Sequence, residues 1–239
     1  MDAIRTWRFN PTLEAGVPTE VDTIAVVSFF LSGHNVSTYL APFRKAEQKH
    51  PNDPKEHIAL GRAMLNTGEA EDAAGEFQRA ISLQPNDSVA YFGLGDALQA
   101  KGDIESGIKE YQQGLSLSKS DADAYFKLSG LLERKGDLQS AVSEYRLGLQ
   151  LKPHEGYRHN NFGILLMKAG DVDGAIQEFE QAIHYEPEMA SNHYHLGRAL
   201  EQKGDPAGAL REYKKASKQD PQNQEFKDAA ERLATKLMT

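Results

Sequence analysis

The chain has no cysteine among its 239 residues. That excludes a disulfide framework, a thiolate nucleophile and any metal site built on sulfur, and it selects no compartment. Basic residues are outnumbered, 27 Lys and Arg against 35 Asp and Glu, for a net charge of −8. No Lys/Arg cluster reverses this balance, so a nucleic-acid partner, whose phosphates demand basic patches, is not expected. Long apolar runs are missing as well. The longest, Ile24 to Leu31, contains Ser28 and falls far short of the ~18 residues of a membrane span, so direct membrane insertion is not expected. Glu20 and Asp22 stand where a signal peptide carries basic residues, which argues against a leader.

Catalytic patterns are equally scarce. There is no Gly-rich phosphate loop, no nucleophile elbow and no zinc-helix motif. The eight histidines are the obvious suspects. His193 and His195 are two apart, so on a helix they point about 200° from each other and cannot share a metal. His57, His159 and His193 recur at one position of a longer pattern, with Tyr91 and Tyr125 in the same place elsewhere, and they read as packing residues. The numerous acidic residues fall at helix starts and outer faces, where they cap and solvate. The expectation is no enzyme, no cofactor and no metal.

What the chain does have is a period of 34 residues, repeated five times over 54–223. Each unit carries a pair such as Leu60-Gly61, Leu94-Gly95, Leu128-Ser129, Phe162-Gly163 or Leu196-Gly197. A Gly follows, at Gly68, Gly102, Gly136, Gly170 and Gly204, with an acid directly after it. Then come a small residue (Ala73, Gly107, Ala141, Ala175, Ala209), an aromatic (Phe77, Tyr111, Tyr145, Phe179, Tyr213) and a second small residue (Ala80, Gly114, Gly148, Ala182, Ala216). A closing Pro85, Pro153, Pro187 or Pro221 ends four of the units, and Lys119 stands in the remaining one. The Gly reads as a left-handed stop for one helix and the acid as the N-cap of the next. Small residues around an aromatic let two helices approach while the ring fills the gap. The pattern resembles the tetratricopeptide repeat (TPR), a helix–turn–helix unit of this length. That resemblance implies an all-α right-handed solenoid of helical hairpins, with units at 54–87, 88–121, 122–155, 156–189 and 190–223 and a capping helix over 224–239. Gly107, Gly114 and Gly148 replace alanine, and at ~0.5–1 kcal/mol each they are expected to make the second and third units softer.

Residues 1–33 read differently. Trp7, Arg8, Phe9, Pro11, Gly16 and Pro18, followed by the β-branched run from Val21 to Val27, resemble the last part of a TonB C-terminal domain. The resemblance implies a small β-containing remnant (strand–turn–strand) of a domain in which the chain begins partway, and a periplasmic or cell-envelope setting. The competing reading makes 20–53 a sixth, degenerate repeat, on the strength of Phe43, Ala46 and Pro51. The β-branched residues favour a strand over 20–31, with 34–53 a lone helix or degenerate repeat that Pro42 bends or delays. A strand without its domain leaves open edges, so dimerisation through 17–31 is a further expectation.

The TPR resemblance also implies a binding surface. In that family the first helix of each unit lines a concave groove. Position 5 gives Ile58, Phe92, Phe126, Asn160 and Tyr194; position 2 includes Tyr157, position 6 Asn161, and position 9 Arg62 and Arg198. Phe92, Phe126 and Tyr194, with Tyr157, Asn160 and Asn161 and a rim of Arg62, Arg134 and Arg198, suit an extended or helical peptide of a protein partner. The alternative for the rings is packing on neighbouring helices. No three consecutive units supply the Lys and Asn set that clamps a chaperone's C-terminal carboxylate. The expected function is therefore a non-catalytic interaction scaffold. The alternative is a part of a TonB-like energy-transduction or transport machine, in which the repeats position the N-terminal module.

Overall fold

The computed structural model describes residues 13–14, 17–18 and 35–238, which fall into two compact units, 1–119 and 120–239. In the first unit, β1 (Leu13–Glu14) and β2 (Val17–Pro18) pair antiparallel, Leu13 opposite Pro18. Four residues in a ladder do not make the β-containing remnant expected there, and the strand expected over 20–31 lies outside the described residues. Five helices follow: α1 (Val36–Lys49), α2 (Pro54–Asn66), α3 (Ala70–Leu83), α4 (Ser88–Lys101) and α5 (Ile104–Leu117). The second unit holds α6 (Ala122–Lys135), α7 (Leu138–Leu151), α8 (Gly156–Ala169), α9 (Val172–Tyr185), α10 (Ala190–Lys203), α11 (Pro206–Gln219) and α12 (Gln224–Met238). This is an all-α helical-repeat fold. Inside each unit every helix packs on the next, and successive first helices also touch, α2 on α4 and α8 on α10.

Local chemistry sets the helix ends. Gly68, Gly102, Gly136, Gly170 and Gly204 all adopt φ between 83° and 90°, the left-handed conformation that Gly reaches without a Cβ penalty. At Gly102 its own N–H donates to the Gln99 carbonyl (3.0 Å), and the Asp103 N–H donates to the Leu98 carbonyl (2.9 Å), which meets carbonyls the helix end leaves open. The acid then starts the next helix. Asp103, Asp137, Asp171 and Asp205 each accept from the amide three residues on, at 3.1, 3.1, 2.9 and 2.8 Å. Glu69, one methylene longer, makes no such bond. Asp205→Ala should therefore cost about 1 kcal/mol in urea unfolding, whereas Glu69→Ala should stay within about 0.5 kcal/mol.

Pro42 sits inside α1 without delaying it, because Asn35 caps the start through the Thr38 amide (2.8 Å) and the helix runs on to Lys49. Tyr39, Leu40 and Phe43 on α1 are buried against Ile58, Leu60 and Met64 of α2 and Phe77 of α3. At the other end Leu233 and Ala230 of α12 close over Ala209 and Tyr213. α12 is apolar on that side and exposed on the other, so it covers the face that α11 would otherwise leave open.

The glycines in the second helices are not simply soft spots. A Cβ at Gly148 would stand 2.6 Å from the Phe126 ring, and one at Gly114 would run into the ring of Phe92. The rings occupy the space that alanine would need, so these glycines trade helix propensity for a larger side chain on the first helix.

Candidate functional site

The first helices of the second unit, α6, α8 and α10, together with α12, present the face that carries most of the candidate binding residues. Phe126, on α6, is only 7% exposed. Its ring lies 4.7 Å from that of Tyr145, and the Arg158 guanidinium sits 4.0 Å above it. Arg158 also bonds Asp123 at 2.9 Å and Glu155 at 3.2 Å, so one cation joins α6 to α8 and covers the phenyl face. Burial pushes the Tyr145 hydroxyl up to about 12, and the structure keeps it as a donor, to the Arg158 carbonyl at 3.1 Å.

Tyr157 is 45% exposed and donates its hydroxyl to Glu155 at 2.8 Å. Asn160 is half-buried and bonds the His195 ring at 2.8 Å, while Asn161 is exposed. Arg134 is exposed in the last turn of α6 and makes no hydrogen bond or ion pair among the described residues. An open cleft of about 300 Å³ between α6, α7 and α8 is lined by Phe126, Gly130, Glu133, Arg158, Asn161 and Ile164.

The larger cleft, about 710 Å³, lies between α10, α11 and α12. Tyr194 and Arg198 form one wall; Glu225, Asp228 and Arg232 of α12 form the other. Tyr194 stacks near Phe226, centroids 4.8 Å apart, and donates to Glu225 at 2.6 Å. Burial, with that carboxylate added, pushes its hydroxyl up to about 12. Arg232 grips Glu201 with two bonds, 2.7 and 2.8 Å. Arg198 is exposed and makes no hydrogen bond or ion pair among the described residues, which leaves its guanidinium available to an incoming acceptor.

Contacts between successive first helices recur at nearly one repeat length. Asp123–Arg158, Glu133–Lys168 and Asn160–His195 are each 35 residues apart; Tyr194–Glu225 and Glu201–Arg232 are 31 apart. These pairs set the register of one first helix against the next.

In the first unit, Arg62 is exposed on α2 without a hydrogen bond or ion pair among the described residues. Phe92 on α4 is half-buried, stacked on Tyr111 at 6.0 Å and seated over Gly114. The structure thus brings Tyr194 with Arg198, and Phe126 with Asn161, each pair into one cleft. Arg62 and Phe92 belong to the other unit.

Sequence reasoning missed Arg158, Glu201 and the whole α12 wall. For α12 the signal was available. Continuing the 34-residue register past 223 puts Glu225, Asp228 and Arg232 at positions 2, 5 and 9, the groove positions used for the other units. Among the described residues, no group of three or more His, Asp or Glu could hold a metal ion, and no helix is long and apolar enough to cross a membrane.

Comparison with known proteins agrees with the architecture. No curated protein sequence matches the chain. The solved structure of YrrB, described as a TPR protein with an unusual peptide-binding site, matches with a TM-score of 0.70 at 21% identity, covering 79% of this chain and 97% of that one. MamA from Desulfovibrio magneticus RS-1, residue 41 to the end, matches at TM-score 0.64 and 18% identity over 72% and 97%. PilF of Pseudomonas aeruginosa matches at 0.61 and 19% over 77% and 84%. At these identities the likeness shows the fold. The profile of the tetratricopeptide repeat matches residues 58–114, 92–155 and 160–224, well over half of the chain. The segments matched by the profile begin at residue 58, so residues 1–31, which carry the TonB-like resemblance, lie outside them. With its helix pairs, Gly–acid junctions and stacked first helices, the chain belongs to the tetratricopeptide repeat family.

Proposed function

We propose that this TPR scaffold binds an extended peptide segment of a protein partner along the first helices, with the α10–α12 cleft as its main anchor in the second unit. The observation that carries the reading is Arg198: an exposed guanidinium without hydrogen-bond or ion-pair partners among the described residues, beside the Tyr194 ring, in an open cleft of about 710 Å³. Such a cleft suits a peptide that sets an apolar or aromatic side chain against Tyr194 and Ala229 and offers a carboxylate or carbonyl to Arg198. Tyr157, Asn160, Asn161 and Arg134 extend the candidate surface along α8 and α6. Arg62 and Phe92 are the candidates in the first unit. YrrB, whose structure is described as having a peptide-binding site, supports the reading by its fold.

The fold supports a binding role without chemistry, since TPR proteins act through their surfaces. An envelope setting, dimerisation through 17–31 and a role in a TonB-like machine are further proposals resting on residues 1–31.

The test is to select peptides from a random library on the full chain and map the best one by hydrogen–deuterium exchange. The reading expects new protection in 194–202 and 225–232. Protection confined to the outer faces of the second helices, α7, α9 and α11, would overturn it.

A further inference from the structure

His57 and His159 occupy the same place in the first and fourth repeats, and each faces two groups that can only accept. His57 Nδ1 lies 2.7 Å from Glu76 Oε2 on α3, and its Nε2 lies 2.9 Å from the Pro51 carbonyl in the loop after α1. His159 repeats the arrangement: Nδ1 is 2.7 Å from Glu178 Oε2 on α9, and Nε2 is 2.9 Å from the Pro153 carbonyl in the loop after α7. A neutral imidazole carries one N–H and can serve only one of its two acceptors; the imidazolium serves both. His193, in the fifth repeat, is the built-in contrast. Its Nδ1 is 2.7 Å from Glu212, but the Pro187 carbonyl accepts from Gln219 at 2.8 Å instead. One N–H is enough there.

We propose that His57 and His159 are proton-operated clamps, which as imidazolium ions tie the second helix of their own repeat to the loop leaving the preceding helix, and which release that loop on losing the proton. In each repeat the one imidazole bonds both the second helix and the carbonyl of the loop; beside His159 a second, outer bond joins the same elements, His154 Nδ1 to the Tyr185 hydroxyl at 3.1 Å. Around His57 stand Glu76 from α3, Arg79, whose guanidinium bonds the other Glu76 oxygen at 2.6 Å, and Glu47 from α1. An open cleft of about 440 Å³ lined by Glu47, Pro51, His57 and Arg79 gives water a path to the ring. Around His159 stand Glu178 from α9 and Tyr185, stacked at 5.3 Å, which in turn contacts His154 and His184.

The electrostatics agree with the geometry. Burial pulls His57 downward, but the bond to Glu76, the Pro51 carbonyl and the charges of Glu76 and Glu47 outweigh it, and the ring ends above its ordinary 6.5. For His159 the bond to Glu178 is the largest influence and also raises it, against burial. A folded value above the unfolded one means the clamp is fully closed below about pH 6.5 and opens as the pH climbs through the folded value. In the second and third repeats the matching carboxyls, Glu110 and Glu144, are raised by burial. Those buried carboxyls also favour the folded state more at low pH than at high pH, the same direction as the clamps.

Hydrogen–deuterium exchange of the full chain at about pH 6 and about pH 8.5, corrected for the intrinsic rate, tests this. Protection of segments 47–57 and 149–159 should fall at least ten-fold at the higher pH, while 186–193, whose carbonyl Gln219 holds, keeps its protection. Glu76→Gln and Glu178→Gln keep an acceptor for Nδ1 but remove the charge, and should leave the two segments poorly protected at both pH values. Ring nitrogen shifts should show both rings doubly protonated at about pH 6. Equal protection at both pH values, an unchanged ten-fold loss in the Gln variants, or neutral rings at about pH 6 would each overturn the proposal.

Discussion

Gly148→Ala and Gly114→Ala are expected to destabilise the chain by about 1–3 kcal/mol each, although both place a better helix former in a helix interior. Propensity alone predicts a gain of ~0.5–1 kcal/mol. Packing overrides it. An added Cβ at Gly148 would meet Phe126 Cε1 at 2.6 Å and Cδ1 at 2.9 Å, and the one at Gly114 would meet the same atoms of Phe92. Phe126 cannot simply swing away, because Tyr145 flanks its ring and Arg158 covers it. Gly130 in α6 provides the control, with nothing within 4 Å of its added Cβ. Gly130→Ala should therefore stabilise by ~0.5–1 kcal/mol. Urea unfolding of the three variants measures all of this, and a stabilising Gly148→Ala would mean that the ring has room to move.

Phe126→Ala should carry the largest cost of any single change in the candidate surface, about 3–5 kcal/mol, because a buried ring is deleted and the site can collapse only partly. The same variant changes the meaning of Gly148. With the ring gone, Gly148→Ala should become neutral or stabilising, so a double-mutant cycle should return a coupling of roughly 1–3 kcal/mol. Additive effects would show that the ring does not rest on Gly148. The cost also bears on function: lost binding in Phe126→Ala would report lost structure as readily as a lost contact. Tyr194 and Arg198 are the cleaner probes, since Arg198 is exposed and Tyr194 sits at the cleft wall.

The repeat architecture was legible because each landmark acts locally. A Gly followed by Asp stops one helix and caps the next through atoms three to five residues apart, and a one-chain reading contains all of that information. The glycines at 114 and 148 were not legible in the same way. Their reason lies 22 positions earlier, in Phe92 and Phe126, on another helix, and propensity has no access to it. The histidines show a middle case. Their packing position was visible from the period, and a Glu 19 residues after each His recurs three times, but the bonds to Glu76, Glu178 and Glu212 form only once the two helices of a repeat fold together. Arg158 escaped because it lies at none of the groove positions the family implies; its role comes from stacking on Phe126 and reaching Asp123. Pro42, expected to bend or delay its helix, does not delay it: Asn35 caps the start and the helix runs from Val36 to Lys49.

The central claim is that the first-helix face, anchored at α10–α12, holds a peptide. The most direct measurement is the affinity of a library-selected peptide for the full chain and for Tyr194→Ala and Arg198→Glu, after circular dichroism has shown equal helicity. The account predicts that each substitution weakens binding at least ten-fold, or about 1.4 kcal/mol. Affinity unchanged in both variants, with the fold intact, would contradict it and place the peptide elsewhere.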